Sequence, residues 1–210
     1  MPADLLSLTA TAAVRLIHDG KLRPEALMDA YLDHIASRDP TVLAFAHFNP
    51  AQARAAAAAA SPGPLQGIPI GIKDVLDTAD MPSQYGSPIW TDWRPKADSA
   101  PVAWARAAGG VVIGKTVTTE FATRKPGPTR NPVNPAHTPG GSSSGSAAGV
   151  ACGPHRDYAV MCVMDFAGPT PQPQQPDVPR LDADGWRQAA LAAPAFARPQ
   201  GLLARLLGWL

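Results

Sequence analysis

Two short apolar segments, each bordered by residues with helical periodicity, constrain the fold of this chain more than any other feature. The segments GIPIGIKD (residues 67–74) and VVIGKT (residues 111–116) have the length and the β-branched content of buried strands. Alternation of such strands with helices is typical of layered folds in which helices cover a sheet. The sequence therefore predicts an α/β fold.

The predicted helices lie before and between these strands. From Ala3 to about Ser37, apolar residues recur at steps of three and four, and Asp19-Gly20 divides the stretch into two helices. Asn49-Pro50 caps a third helix through QARAAAAAA, which Ser61-Pro62-Gly63 ends. The stretch from Ser99 to Ala108 predicts a further helix between the two strands.

A run of glycine and serine, TPGGSSSGSAAG from Thr138 to Gly149, has the composition of a flexible linker. Its neighbours argue against that interpretation, because a proline-rich stretch precedes it and small apolar residues at helical density follow it. We therefore expect a fixed turn that leads into a helix. Successive backbone N–H groups at such a position are also able to form a concavity for an anion.

The composition excludes several classes of partner and site. Hydrophobic residues make up 45% of the 210 residues, and a formal net charge of +1 without a basic stripe predicts no nucleic-acid partner. No apolar run is long enough to predict a membrane span. Cys152 and Cys162 are too few for a disulfide framework, and no cluster has the spacing of a metal site. With no signal-peptide pattern at the N-terminus, we expect a cytoplasmic protein without metal or cofactor.

Four segments together resemble the amidase signature family. They are GIPIGIKD (67–74), GKTVTTEFA (114–122), RNPVNPAHTP (130–139) and GGSSSGSAA (140–148), in the order and spacing of that family. The resemblance covers about residues 5–150 and implies an incomplete amidase-signature fold, a mixed sheet covered by helices. It also implies hydrolysis of the C–N bond in carboxylic amides, a small-molecule amide substrate, and a homo-oligomer.

The resemblance further implies which residues are catalytic. Family members use a Ser-Ser-Lys triad, in which the lysine corresponds to Lys73 and the bridging serine, held in a cis peptide, corresponds to Ser142. The chemistry of these residue types agrees with those roles. A lysine acts as a base only as the neutral amine, and burial after an apolar strand favours the neutral form. A serine hydroxyl both donates and accepts, so Ser142 is able to pass a proton between Lys73 and a nucleophile.

The match ends before the nucleophile. In the family a second serine lies downstream, in a TGGS-type segment whose backbone also forms the oxyanion hole. The 210-residue chain has no serine after Ser146 and no TGGS segment. The only hydroxyls beyond that point belong to Tyr158 and Thr170, and Thr170 lies among prolines. We therefore predict that the nucleophilic serine is absent and that the chain as it stands is inactive.

A change in composition accompanies the end of the match. Beyond Val150 there is no serine, lysine, glutamate, asparagine or isoleucine, and five prolines lie from Pro169 to Pro179. We expect two parts: residues 1–150 as the N-terminal part of an amidase signature domain, and residues 151–210 as an irregular tail rich in alanine, proline and arginine. A truncation, a shifted reading frame and a genuine segment all remain explanations of this tail.

Two other functions stay open. The stretch Gly109–Thr116 fits the phosphate-loop pattern G-x-x-x-x-G-K-T, which makes nucleotide binding an alternative. Against it, the intervening residues Val111–Ile113 are β-prone and predict a strand where a phosphate loop is required. The other alternative is a non-catalytic binding or assembly protein on the same scaffold, whose C-terminal GLLARLLGWL docks on a partner.

Overall fold

A computed structural model describes residues 5–153 of the chain. The α-helices within this range are α1 (Ala10–His18), α2 (Pro24–Val42), α3 (Pro50–Ala58), α4 (Ala100–Ala107) and α5 (Ser144–Ala151). The strands are β1 (Phe45–Phe48), β2 (Pro69–Lys73) and β3 (Val111–Thr116). From residue 154 onward, the predicted tail of residues 151–210 lies outside the described residues, and its irregular character and the boundary at residue 150 stay predictions.

The helices and the two apolar strands that the sequence predicts are confirmed, although the first helix begins at Ala10 and not at Ala3. Asp19 ends α1, and Gly20 adopts a φ of 68°, which separates α1 from α2. The side chain of Asn49 accepts a hydrogen bond from the first turn of α3, as a cap does. One helix is longer than expected, because α2 continues past Ser37 and ends where Leu43 adopts a left-handed conformation.

The three strands form one mixed sheet with β3 in the centre. β2 pairs with β3 in parallel, and β1 pairs with β3 antiparallel, giving the order β1-β3-β2. Every residue of β2 and β3 is buried. Two apolar clusters contain residues of these strands, one shared with α2 and α3 and the other shared with α4. The sheet is therefore covered by helices, as a layered fold requires.

The register of β2 against β3 shifts by one residue in the middle of the pair. The cross-strand partners are Pro69–Val111, Ile70–Val112, Gly71–Gly114, Ile72–Lys115 and Lys73–Thr116. Ile113 is therefore the extra residue of a β-bulge. Partners in neighbouring strands point to the same face of a sheet, and consecutive residues point to opposite faces. Lys115 consequently lies on the face of Ile72, whereas Thr116 lies on the face of Lys73.

The structure also decides the phosphate-loop alternative, which is wrong for Gly109–Thr116. Residues 111–116 are the central strand of the sheet, so their backbone is engaged in strand pairing and does not surround a phosphate. Lys115, the lysine of the pattern, is 0% exposed and forms an ion pair with Asp74. A nucleotide has no access to either feature.

Candidate active site

The structure brings Lys73 and Ser142 together, although 69 positions separate them in the chain. The Nζ atom of Lys73 donates a hydrogen bond to Oγ of Ser142 at 2.7 Å. Lys73 is 7% exposed and Ser142 is partly buried, so the contact lies near the surface without being open to it. The sequence prediction of their proximity agrees with this geometry, and their catalytic roles are a proposal.

The main chain of Lys73 is fixed on both sides. Lys73 is the last residue of β2 and pairs with Thr116 of β3. Immediately after it, the chain turns, because the N–H groups of Val75 and Leu76 both donate to the carbonyl of Lys73, at 2.8 and 3.0 Å. The strand ladder and the turn together determine where the lysine side chain begins.

Ser142 lies in the predicted turn before α5. Gly140 adopts a φ of 87°, a left-handed conformation that glycine tolerates best, and the Gly141–Ser142 peptide bond is cis. The carbonyl of Ser142 accepts a hydrogen bond from the N–H of Thr119 at 3.0 Å. The glycine-serine run is therefore a turn tied to the segment that follows β3, and α5 begins at Ser144.

Small residues let α5 approach the end of β3 closely. The N–H of Gly145 donates to the carbonyl of Val117 at 2.9 Å, and the hydroxyls of Thr116 and Ser146 share a hydrogen bond of 2.6 Å. A Cβ atom at Gly145 would lie only 2.1 Å from the carbonyl oxygen of Ala44. The sequence analysis missed these contacts, although glycine and serine at neighbouring positions of one predicted helix were a signal of close packing.

A buried ion pair begins one residue after Lys73 in the chain, and the sequence analysis missed it as well. Asp74 directly follows Lys73, and its Oδ1 atom is 3.1 Å from Nζ of Lys115. Burial raises the pKa of the Asp74 carboxyl, and the charge of Lys115 opposes that rise. Burial lowers the pKa of the Lys115 ammonium, and the charge of Asp74 opposes that fall. The available signal was a lysine inside the apolar strand VVIGKT, which needs a partner if it is buried.

Three aromatic side chains pack edge to face in the loop between β2 and α4. The ring centroids of Tyr85 and Trp90 are 5.6 Å apart, and those of Trp90 and Trp93 are 5.5 Å apart. The hydroxyl of Tyr85 donates a hydrogen bond to the carboxylate of Asp77. Burial, this hydrogen bond and the negative charge of Asp77 raise the pKa of Tyr85 to about 12.

This tyrosine gives a pH prediction. A tyrosine whose pKa is raised from 10.0 to about 12 by folding contributes stability below pH 10.0, and the contribution is lost as the pH rises through about 12. Between pH 10.0 and about pH 12, the free energy of unfolding of the parent chain should therefore fall more steeply with pH than that of Tyr85→Phe. Urea unfolding at several pH values measures this difference. The prediction would be contradicted if the free energy of unfolding fell equally steeply with pH in both proteins and if an absorbance titration showed every tyrosine ionising near its ordinary pKa.

Neither a metal site nor a membrane span is evident among residues 5–153. No group of three or more His, Cys, Asp and Glu side chains within this range is arranged to hold a metal ion. No helix in the same part of the chain has the length and the apolar content to cross a membrane.

Comparison with known sequences supports the resemblance. The Amidase family model matches residues 26–155, which include Lys73 and Ser142. A glutamyl-tRNA(Gln) amidotransferase subunit from Mycobacteroides abscessus is 41% identical over 162 residues, covering 70% of this chain and 33% of that protein. Its counterpart in Chloroflexus aurantiacus is 41% identical over 164 residues, covering 71% and 34%. The chain thus spans about a third of the length of these curated relatives.

Solved structures resemble this chain in fold as well as in sequence. The peptide amidase from Stenotrophomonas maltophilia superposes with a TM-score of 0.64 and 35% identity, covering 69% of this chain and 34% of that one. A 6-aminohexanoate cyclic dimer hydrolase in complex with its substrate superposes with a TM-score of 0.64 and 33% identity, covering 71% and 33%. The family match extends over more than half of the chain, and the structural neighbours share its layered α/β architecture. The chain belongs to the Amidase family.

Proposed function

We propose that Lys73 and Ser142 are the base and the proton relay of a site that hydrolyses carboxylic amides in small molecules. The observation that carries this proposal is the hydrogen bond of 2.7 Å between the Lys73 amine and the Ser142 hydroxyl. A hydroxyl is able both to donate and to accept a proton, as a relay requires. The carboxylate of Asp74, the next residue in the chain, is engaged by Lys115.

The relay transfers one proton over two steps. A nucleophilic hydroxyl attacks the amide carbonyl carbon and gives its proton to Ser142 Oγ, while Ser142 gives its own proton to the neutral amine of Lys73. The proton then returns by the same route to the amide nitrogen, the C–N bond breaks, and the amine product leaves. Water hydrolyses the resulting ester with the same two residues. In the structure the amine donates to the hydroxyl, and the reverse polarity needs only rotation of the amine and the hydroxyl at the same separation.

The nucleophile is the part of this site that the chain does not supply. The resemblance implies a second serine downstream of the relay, and the 210 residues contain no serine after Ser146. Ser146 itself bonds to Thr116 on the buried side of α5. We therefore propose that this chain carries the base and relay of the site and does not turn over amides without a further segment. A cytoplasmic location and a homo-oligomeric state stay predictions.

The activity test uses both the chain and a chimera. The 210-residue chain should neither hydrolyse a panel of small carboxamides nor be labelled by a serine-directed fluorophosphonate. A chimera in which residues 26–153 replace the matching segment of the Stenotrophomonas maltophilia peptide amidase should hydrolyse the substrate of that enzyme. In the chimera, Lys73→Ala and Ser142→Ala should each lower kcat by about 10²–10⁴-fold, because general acid–base catalysis contributes that much.

Lys96→Ala is the matched control, since Lys96 is an exposed lysine of the same segment. Its kcat should equal that of the unmodified chimera. Full activity of the Lys73→Ala chimera would refute the role of the base, and a folded chimera without activity would favour the non-catalytic binding or assembly function. Turnover by the 210-residue chain itself, abolished by Lys73→Ala, would show that another hydroxyl is the nucleophile.

A further inference from the structure

The Asp74–Lys115 pair is a pair of opposite charges buried inside the protein. Asp74 is 1% exposed and Lys115 is 0% exposed, and their charged atoms are 3.1 Å apart. The proposed proton relay uses neither of them. Lys115 lies on the opposite face of the sheet from Lys73, and Asp74 follows Lys73 in the chain, so a direct proton transfer to Ser142 is not their function.

The hydrogen bonding of the pair is complete. The Lys115 ammonium has three donors, and it contacts Asp74 Oδ1, the Ser83 hydroxyl and, at 3.4 Å, the carbonyl of Pro82. The Asp74 carboxylate also accepts from the backbone N–H of Gln84, at 3.1 Å to the nearer oxygen. The pair therefore joins the end of β2, the strand β3 and the loop at residues 82–84.

Stability alone is a weak reason for such a pair. Removing two charges from water costs about as much as their attraction returns, and well-packed apolar residues of similar size are often as stable or more so. A fully hydrogen-bonded pair does, however, accept only one arrangement of the elements that carry it. The pair therefore acts by fixing the relative position of the elements that carry it.

The enforced position is that of Lys73. Regular pairing between β2 and β3 ends at Lys73, where a strand is most able to separate from its neighbour. One residue further, the N–H of Asp74 donates to the carbonyl of Thr116 at 2.9 Å, and its side chain is bound to Lys115 of the same strand. The segment that continues β3 also holds Ser142, through the N–H of Thr119. The same strand thus anchors both residues of the relay.

We propose that the buried Asp74–Lys115 pair is a positioning element that holds the Lys73 amine against the Ser142 hydroxyl. This inference rests on the proposed function of Lys73 and Ser142 as the relay. The pair does not exchange protons with the substrate. It prevents the end of β2 from leaving β3, and so keeps the amine at hydrogen-bond distance from the serine.

The test measures how fast each lysine of the full 210-residue chain reacts with trinitrobenzenesulfonate, read by peptide mass spectrometry. Lys73 should react far more slowly than the exposed Lys96 in the parent. In the uncharged pair Asp74→Asn/Lys115→Met, Lys73 should react about tenfold faster, because the strand end opens more often. Ser83→Ala, which removes one bond to Lys115 and strands no charge, should raise the rate by about two- to threefold.

Val102→Ala is the structural control, because Val102 is a fully buried residue of the apolar cluster with α4 and its side chain carries neither a charge nor a hydrogen-bonding group. It should destabilise the fold and leave the rate at Lys73 unchanged. If the double variant Asp74→Asn/Lys115→Met folds and its Lys73 reacts as slowly as in the parent, the inference is overturned. It is also overturned if Val102→Ala, at the same loss of stability, accelerates the reaction of Lys73 as much as the double variant does. If the double variant does not fold, an unchanged Lys73 rate in Ser83→Ala overturns it.

Ser142→Ala separates this inference from the proposed function. Loss of the serine hydroxyl should accelerate the reaction of Lys73, since its hydrogen bond is removed. If Lys73 of the parent reacts as fast as Lys96 and Ser142→Ala changes nothing, the relay itself is refuted. Protection of Lys73 that depends on Ser142 and not on Asp74 and Lys115 would refute the positioning role alone.

Discussion

Replacing Lys115 with methionine is expected to lower the free energy of unfolding by about 3–5 kcal/mol at neutral pH, because it leaves the Asp74 carboxylate buried without its cation. Asp74 is 1% exposed, so water does not take the place of the ammonium. The backbone N–H of Gln84 remains as a donor and compensates only part of the charge. Urea unfolding followed by circular dichroism measures the loss.

The pH dependence of this loss identifies its cause. Burial already raises the pKa of Asp74, and Lys115 is the group that most opposes the rise. A carboxyl with a raised pKa binds its proton more readily in the folded state, so the deficit of Lys115→Met should shrink as the pH falls through that pKa. The double variant Asp74→Asn/Lys115→Met strands no charge and should lie within about 1–2 kcal/mol of the parent. A double variant as unstable as the single one would show that lost packing, and not charge, is responsible.

Gly145→Ala is expected to destabilise the protein by about 3 kcal/mol or more, because the added methyl group meets main-chain atoms that are unable to move aside. Its Cβ would lie 2.1 Å from the carbonyl oxygen of Ala44 and 2.4 Å from the nitrogen of Val117. Those two atoms are hydrogen-bonded to each other at 2.9 Å, so relief of the clash would break that bond. Thermal unfolding in parallel with the parent measures the effect.

The control for this substitution lies in the same helix. Ala147 is an exposed residue of α5, and Ala147→Ser should change the free energy of unfolding by no more than about 0.5 kcal/mol. Because α5 begins two residues after Ser142, the reaction rate of Lys73 with the amine reagent should also rise in Gly145→Ala and stay constant in Ala147→Ser. A stable Gly145→Ala protein with a protected Lys73 would contradict the close packing of α5 on β3.

Local patterns in the sequence were sufficient for most of the fold, and two elements show where they were not. β1 was not predicted, because four residues, FAHF, become a strand only through pairing with β3, a contact that is distant in the chain. The end of α2 was placed near Ser37, whereas the helix runs to Val42 despite Pro40. Val42 is 3% exposed and packs in one apolar cluster with Ala148 of α5, so tertiary contacts extend the helix past a proline.

The candidate site divides in the same way. Lys73 and Ser142 were identified because the resemblance carried their roles, and the physical chemistry of a buried amine and a hydroxyl agreed. The Asp74–Lys115 pair was not predicted, because it depends on which face of the sheet each side chain takes. Strict alternation along VVIGKT gives the wrong face for Lys115. The local signal of the bulge at Ile113 was Gly114, because a glycine inside a strand often marks a bulge.

That bulge excludes a competing alignment of the two strands. If β2 and β3 paired without it, the register that begins at Pro69–Val111 would place Lys73 directly beside Lys115 on one face. Two basic side chains would then be direct neighbours across the strands, which is an unfavourable pairing, while Asp74 would enter the opposite face without a cation. Slippage by one residue is therefore penalised by charge as well as by packing. The two lysines therefore favour the native register, in which Lys73 and Lys115 lie on opposite faces of the sheet.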